Sequence, residues 1–370
     1  MSVIAPVSQR KYRKMKTHPE LFFVSEGQRA AREAVKSVMS AEADIAVVTG
    51  CMGSGKTMMI AQLAEQLGQE VLYTRIESAD LVDADSNEIV AFVLRAFGGE
   101  HSRDDLGKFV EAQEAEGRRI LLVVDDAHEL SQIGLESIVN LADPLYQDEH
   151  PLRLILVGRP DLNQKLSTGS GIPLLPPGAL QATVSPFTVS ETIQFVTSRW
   201  EASKKFASCP FTQSAMAQIH YYSRGNPKSM IALGKLANDV AHQQGCPNVT
   251  ELFIRQAVET PAWVLYAEAL AVLHTPVKRE RDTSQTLPPP SAFVFHQGEK
   301  VQAVTLDSQY TYIGKDTRNA ILAEGDDVSD LHACIEARGQ KYYLHKLSGL
   351  HPLYVNASTV SQHTLNDGDI

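Results

Sequence analysis

Short apolar runs rich in β-branched residues recur through the first half of the chain, separated by stretches of helical period. Ile45–Thr49, Val71–Ile76, Ile120–Val124 and Leu154–Val157 are apolar on both faces rather than alternately, which predicts buried parallel strands. Gln181–Val184 reads as a fifth strand, while Lys56–Leu67 and Leu135–Leu141 read as helices between strands. Strands alternating with helices predict βαβ units and a doubly wound α/β sheet. Beyond Pro186 the pattern is helical alone. Ser190 can cap a helix toward Ala207, Thr212 one toward Tyr222, Lys228 to Gln243 forms a third, and Thr250 opens a fourth toward Val258. From Phe293 the pattern becomes short alternating strands: Val301–Leu306, Tyr310–Ile313, His332–Glu336, Tyr342–Lys346 and Leu353–Val355, the signature of an all-β sandwich. The expected division is a basic arm at 1–20, an α/β domain at 21–184, a helical lid at 185–262, a helix and Pro-rich linker at 263–292, and the sandwich at 293–370. The sequence ends where a last strand of the sandwich is expected.

A chain of 370 residues exceeds one ordinary core, so several domains are expected. The net charge of -10 argues against a nucleic-acid coat, although Arg10, Lys11, Arg13, Lys14 and Lys16 form a local basic patch. That patch reads either as a solvated arm or as a contact for DNA or an anionic membrane surface. Cys51, Cys209, Cys246 and Cys334 are scattered with no C-x-x-C pair, which suits free thiols in a reducing compartment. The longest apolar stretch, Trp263 to Leu273, is interrupted by Glu268 and falls short of the roughly 18 to 20 residues that span a bilayer. Met1 to Val7 has no basic region ahead of a long apolar stretch, so no secretory signal is expected and the location expected is cytoplasmic.

The chemistry concentrates after the first strand. Gly50-Cys51-Met52-Gly53-Ser54-Gly55-Lys56-Thr57 is a full G-x-x-x-x-G-K-[ST] pattern between a predicted strand and a predicted helix. Glycines there let backbone N–H groups face phosphate oxygens, and the helix N-terminus adds a favourable dipole. Lys56 is expected to reach the β- and γ-phosphates of ATP and Thr57 to ligate Mg²⁺. The run Ile120 to Val124 ends in Asp125, expected to hold the Mg²⁺ shell through water, and Asp126, expected to polarise the attacking water. Arg159, after the strand Leu154–Val157, falls at the same sheet edge, and Lys228 in the first turn of a lid helix is a further candidate for the phosphates.

From about Leu21 to Val258 the chain resembles the AAA+ ATPase of the general secretion pathway protein A (ExeA-like) family. The resemblance rests on Phe22-Phe23-Val24-Ser25-Glu26, the phosphate loop, Val123-Val124-Asp125-Asp126-Ala127-His128-Glu129-Leu130, Leu156-Val157-Gly158-Arg159-Pro160-Asp161-Leu162 and Gly225-Asn226-Pro227-Lys228. It implies an ATPase assisting type II secretion or pilus-like systems, with sensor-1 geometry for Arg159, sensor-2 geometry for Lys228, and assembly through the ATPase domain. ATPases of transposition share this layout, so a DNA-binding adaptor is the alternative, together with a nucleotide-dependent signalling module. Three departures stand out. Asp126 replaces the usual Glu, Arg159 replaces a neutral polar residue, and no arginine lies between Arg159 and Arg199, where a trans-acting finger is usual.

Over Phe293 to Ile370 the sequence resembles a forkhead-associated (FHA) domain, on Tyr312-Ile313-Gly314-Lys315, Val328-Ser329-Asp330-Leu331-His332-Ala333, Val355-Asn356 and Leu365-Asn366-Asp367-Gly368-Asp369-Ile370. Such domains usually read phosphothreonine on a protein partner. Lys315 falls where a phosphate-binding Arg is usual, and Ser329 matches the phosphate-contacting serine. His332 is usually structural. Asp330 brings negative charge to that loop, and Ser348 to Asn356 lacks the usual Asn-Gly-Thr. Partner docking with or without phosphate is therefore open, as is recruitment to the inner face of the cytoplasmic membrane.

Overall fold

The computed structural model describes residues 23–81, 84–98, 105–143, 152–167, 173–202, 208–273, 290–296 and 299–370. The basic arm and all but the last residues of the Pro-rich linker lie outside them. Contacts divide the chain into two units, 1–186 and 187–370.

In the first unit the elements follow the order α1 (Arg29–Met39), β1 (Ile45–Gly50), α2 (Lys56–Ala64), β2 (Val71–Glu77), α3 (Ser86–Ala96), α4 (Asp105–Ala115), β3 (Arg119–Asp125), α5 (Gln132–Asn140), β4 (Arg153–Gly158), α6 (Asp161–Ser167) and β5 (Leu180–Val184). The five strands form one parallel sheet in the order β2-β3-β4-β1-β5. Successive strand residues point to opposite faces, and both faces are covered. Ile45, Val47, Leu122, Val124, Leu154 and Leu156 pack with Ile89, Val93, Leu135 and Ile138 of α3 and α5. Ala46, Val48, Leu121, Val123, Ile155 and Val157 pack with Val35, Val38, Met59 and Ile60 of α1 and α2. This double burial is why the strands read as continuous apolar runs.

The second unit opens with α7 (Val189–Glu201), α8 (Gln213–Ser223), α9 (Pro227–Gln243), α10 (Glu251–Val258) and α11 (Pro261–Leu273). The first of these starts earlier than its expected cap at Ser190. Thr188 Oγ1 accepts from the Glu191 amide at 3.1 Å and Glu191 returns a bond to the Thr188 amide at 2.8 Å, a reciprocal box that Ser190, with Ile193 three residues on, has no means to form. Thr212 caps α8 as expected, accepting from Ala215 N at 3.2 Å. In α9, a Cβ on Gly234 would stand 2.6 Å from the Trp200 ring, so the glycine sets how closely α9 meets α7.

The strands that follow are β6 (Ser291–His296), β7 (Glu299–Thr305), β8 (Tyr310–Gly314), β9 (Ile321–Leu322), β10 (Ala333–Arg338), β11 (Lys341–Lys346), β12 (Tyr354–Val355), β13 (Ser358–Thr359) and β14 (Gln362–Leu365). One sheet runs β14-β11-β10-β8-β9, and the hairpins β6-β7 and β12-β13 pair separately. Ala333, Ile335 and Leu344 face the sandwich core with Leu306, Ile321 and Val355. The opposite face carries Tyr310, Tyr312 and Cys334, which pack with Val189 and Ile193 of α7 and Ala217 and Tyr221 of α8. Among the described residues no helix is long and apolar enough to cross a membrane.

His220 lies fully buried where α8 meets this sheet, 4.9 Å from the Tyr310 ring, with Nδ1 2.9 Å from Thr192 Oγ1. Burial pushes its pKa down to about 4, against the opposing pull of Glu336. The unfolded chain, with an ordinary histidine, therefore takes up a proton first as pH falls. The stability present above about pH 6.5 should decline toward pH 4, by about 2 kcal/mol between pH 7 and pH 5. Both tryptophans, Trp200 and Trp263, belong to this unit, so urea unfolding followed by tryptophan fluorescence isolates it. The pH slope of wild type minus His220→Gln should carry this loss, and a zero difference would remove His220 as its source.

Candidate functional site

The turn from β1 into α2 has a shape that its glycines permit. Gly53 and Gly55 adopt φ of 81° and 92°, and a Cβ on Gly50 would lie 2.9 Å from the Val184 carbonyl oxygen. Gly55 stands at the N-cap of α2 with no side chain to cap it, leaving first-turn N–H groups open toward an anion. Lys56 is only 8% exposed, and its Nζ donates to the Gly50 and Cys51 carbonyls at 2.7 and 3.0 Å. Burial lowers its pKa, opposed by the fields of Asp125 and Asp126. Buried Gln28 supports the loop from below, its Nε2 3.4 Å from the Ser54 carbonyl oxygen.

Asp125, 4% exposed at the end of β3, meets this turn directly: Thr57 Oγ1 donates to its Oδ2 at 2.9 Å. A hydroxyl and a carboxylate oxygen at hydrogen-bond distance beside a phosphate cradle form a donor set that fits a hard divalent cation held mainly by a substrate's phosphates and water. Among the described residues no group of three or more His, Cys, Asp and Glu side chains could cage a metal by itself. Asp126 follows in a left-handed conformation (φ 53°, ψ 33°), with its amide on Asp125 Oδ1 at 3.1 Å and its side chain 63% exposed. Arg159 leaves the end of β4, its Nε 3.7 Å from Asp161, and its charge bears on both Lys56 and His128. The structure thus gathers residues 50–57, Asp125, Asp126 and Arg159 at the carboxyl edge of one sheet. Lys228 belongs to the second unit, exposed in the first turn of α9 behind the Asn226 cap.

Sequence reasoning missed Arg75. From β2 it pairs with Asp125 Oδ2 and Glu77 Oε1, each at 3.1 Å, placing a cation on the carboxylate that Thr57 also reaches. Its one signal was a charged residue inside the otherwise uncharged run Val71–Ile76. His128 was quoted only as part of a motif. It is buried, and burial, followed by the Arg159 charge, lowers its pKa, so it stays neutral beside the site.

In the second unit Lys315 is exposed, its amide donating to the Ser329 carbonyl at 3.1 Å. Ser329 is buried, with its hydroxyl on Ser348 Oγ and its amide on His332 Nδ1 at 3.2 Å. His332 Nε2 lies 3.2 Å from the Pro352 carbonyl, bracing two loops as expected. Gly314 sits against this turn so closely that a Cβ would stand 2.2 Å from the Asp330 carbonyl oxygen.

Residues 39–166 match the AAA domain family model, and residues 311–370 match that of the FHA domain. The chain pairs an AAA domain with an FHA domain. General secretion pathway protein A of Aeromonas hydrophila is 25% identical over 219 residues, which cover 57% of this chain and 39% of that protein. This chain therefore spans well under half the length of that relative. Among solved structures, Cdc6p of Pyrobaculum aerophilum matches with a TM-score of 0.51 at 16% identity, covering 65% of this chain and 68% of that one. The RuvB Holliday junction branch migration motor of Thermotoga maritima matches at 0.43 and 18%, covering 63% and 67%. The likeness to Cdc6p is one of fold: a P-loop AAA+ sheet.

Lys56→Ala should weaken the binding of ATP and ADP while leaving the fold intact. One charge-assisted contact is worth about 1.5 to 3 kcal/mol, so at least a tenfold loss in affinity is expected. Isothermal titration with the variant checks this, and unchanged affinity would overturn the assignment.

Proposed function

We propose that this chain is an ATP-binding AAA+ accessory ATPase of type II secretion or a pilus-like envelope assembly, docked to a protein partner through its FHA domain. The observation that carries the ATPase reading is the hydrogen bond from Thr57 to Asp125 beneath an open helix N-terminus. In this reading Cys51, Met52 and Ser54 join the glycines of the loop in offering backbone groups to the phosphates, and Lys56 leaves its loop carbonyls for the β- and γ-phosphates. Thr57 and Asp125 hold Mg²⁺, the latter through water. The ion supplies charge neutralisation on the transferring phosphoryl group. Asp126 accepts the proton of the attacking water, Arg159 senses the γ-phosphate, and Lys228 serves the same nucleotide from the helical subdomain. The secretion reading is supported by the similarity to general secretion pathway protein A. The proposed site of action is the cytoplasmic side of the membrane, with the ATPase domains assembling into a homo-oligomer.

Hydrolysis by the isolated chain should be slow. Asp126 is one methylene shorter than the usual Glu, and a displacement of about 1 Å can cost on the order of 100-fold. An arginine finger contributes about 10³- to 10⁵-fold, and the stretch from Arg159 to Arg199 has none to offer. Steady-state turnover of the purified protein should fall below the usual range of about 1 to 10³ s⁻¹ and rise on assembly or with a partner. Asp126→Glu should raise the rate, since the exposed carboxylate has room to extend. Turnover within the usual range for the wild-type protein alone would refute this account of its site.

The secretion reading is tested in the host. Loss of the gene should reduce protein secretion or pilus assembly, with rescue by the wild-type gene and none by Lys56→Ala. Intact secretion and pili in the deletion strain would leave the ATPase site standing and remove the proposed role.

A further inference from the structure

The loops of the FHA domain that bear Lys315 and Ser329 lie against α8 and α10 of the same unit. Asp330, next to Ser329, meets Arg255 of α10 at 3.2 Å. In the adjoining loop the Gly349 amide donates to Glu251 Oε2, also of α10, at 3.3 Å. A Cβ on Gly349 would stand 3.0 Å from Ser214 Oγ, so the absent side chain lets this loop approach α8. Between the two polar contacts Leu331, 5% exposed, joins Leu347 and Cys334 in an apolar cluster with Val189 and Ala217. The rings of Tyr312 and Tyr221 close the seam edge to face at 4.6 Å, and Tyr310 donates its hydroxyl to the Phe187 carbonyl at 3.3 Å.

We propose that the resident partner of these loops is the chain's own helical subdomain, with Arg255 and Glu251 of α10 holding Asp330 and Gly349. An outside protein that takes over Asp330 or the Gly349 amide must displace α10, while Lys315 stays exposed. Two of the groups that would greet a phosphate are committed internally and one is not. The Ser329 hydroxyl is buried on Ser348, the Gly349 amide serves a carboxylate of the same chain, and the free cation Lys315 faces solvent. Asp330 is the deciding residue. A carboxylate opposes an incoming dianion but complements a guanidinium, and its neighbour across the seam is Arg255. The apolar cluster supplies most of the adhesion, and the two polar contacts fix which loops face the helices. The inference rests on the reading of residues 311–370 as an interaction domain and on no assumption about ATP hydrolysis.

Hydrogen exchange on the full chain, without nucleotide, tests it. An exposed ion pair sustains at most about a fivefold effect, and reversal of one charge adds repulsion. Arg255→Glu and Asp330→Arg should each speed exchange over 328–332 and 346–352 by about three- to tenfold. The double variant Arg255→Glu, Asp330→Arg restores the pair with reversed sign and should return exchange to within about twofold of wild type. Unchanged exchange in both single variants, or no recovery in the double, would overturn the proposal. A degenerate phosphothreonine peptide pool and its unphosphorylated counterpart provide the second measurement. Wild type should prefer the phosphorylated pool by less than about tenfold. A preference above about a thousandfold would show loops open to phosphate and would equally overturn it. Because both readings are taken without ATP, failure here would leave the proposed ATPase site untouched, and failure of turnover would leave this seam untouched.

Discussion

The first unit turns on a single carboxylate that three elements share. Asp125 ends a strand that is buried from Ile120 onward, and at that point the chain must place a charge where water is scarce. Isolated, such an anion would be costly to bury. Thr57 from the start of α2 and Arg75 from β2 share its Oδ2, while the amide of Asp126 takes Oδ1. These contacts fix the phosphate turn to the far side of β4, since β4 separates β1 from β3 in the sheet. Lys56 is held by the same logic, its ammonium kept among carbonyls of its own loop while the acids nearby offset the penalty of burial. The anion is thus fixed before any ligand arrives, while the cation is held close by through bonds that a phosphate would replace.

The second unit solves a related problem with a different device. Its main sheet is covered on both faces, yet Glu336 stands on the face toward the helices with no exposure at all. Burial alone would push that carboxyl up, but His345 and Arg338, each at 2.8 Å, outweigh it and hold the group below its usual range. Tyr310 lies with its hydroxyl 3.4 Å from the same carboxylate, its one proton shared with the Phe187 carbonyl. This satisfied polar cluster lies within the sheet and disfavours slippage of β8, β10 and β11 against one another, because a shift between them leaves a buried charge without partners. The unit consequently gains registry as well as burial.

What was legible in the sequence followed from periodicity and from fixed-spacing chemistry. Four of the five parallel strands were visible because both of their faces are apolar, whereas β5 is alternately exposed and gave a weaker signal, and the phosphate loop was visible because its glycines, lysine and threonine occur at spacings that geometry demands. Helix ends were legible where one side chain does the capping, as at Thr212, and misread where two cooperate, as at Thr188 and Glu191. Arg75 was illegible because its role depends on strand order: β2 and β3 are neighbours across many residues of sequence, and only their register brings Glu77 level with Asp125. The seam holding the FHA loops was hidden for the same reason, since Arg255 and Asp330 lie 75 residues apart.

Two residues that depart from their families' patterns are both acidic, and local geometry gives each a reason. Asp330 disfavours phosphate and faces a guanidinium. Asp126 occupies a left-handed backbone position, where a short polar side chain is tolerated better than a longer one. The shorter acid therefore relieves the turn at the expense of reach toward water, and a Glu there would gain reach while straining the backbone that presents it. Loss of an expected residue is often read as decay of a site. Here each substitution exchanges one interaction for another that the surrounding backbone or a neighbouring helix supplies, so that the altered residue is as constrained as the one it replaces.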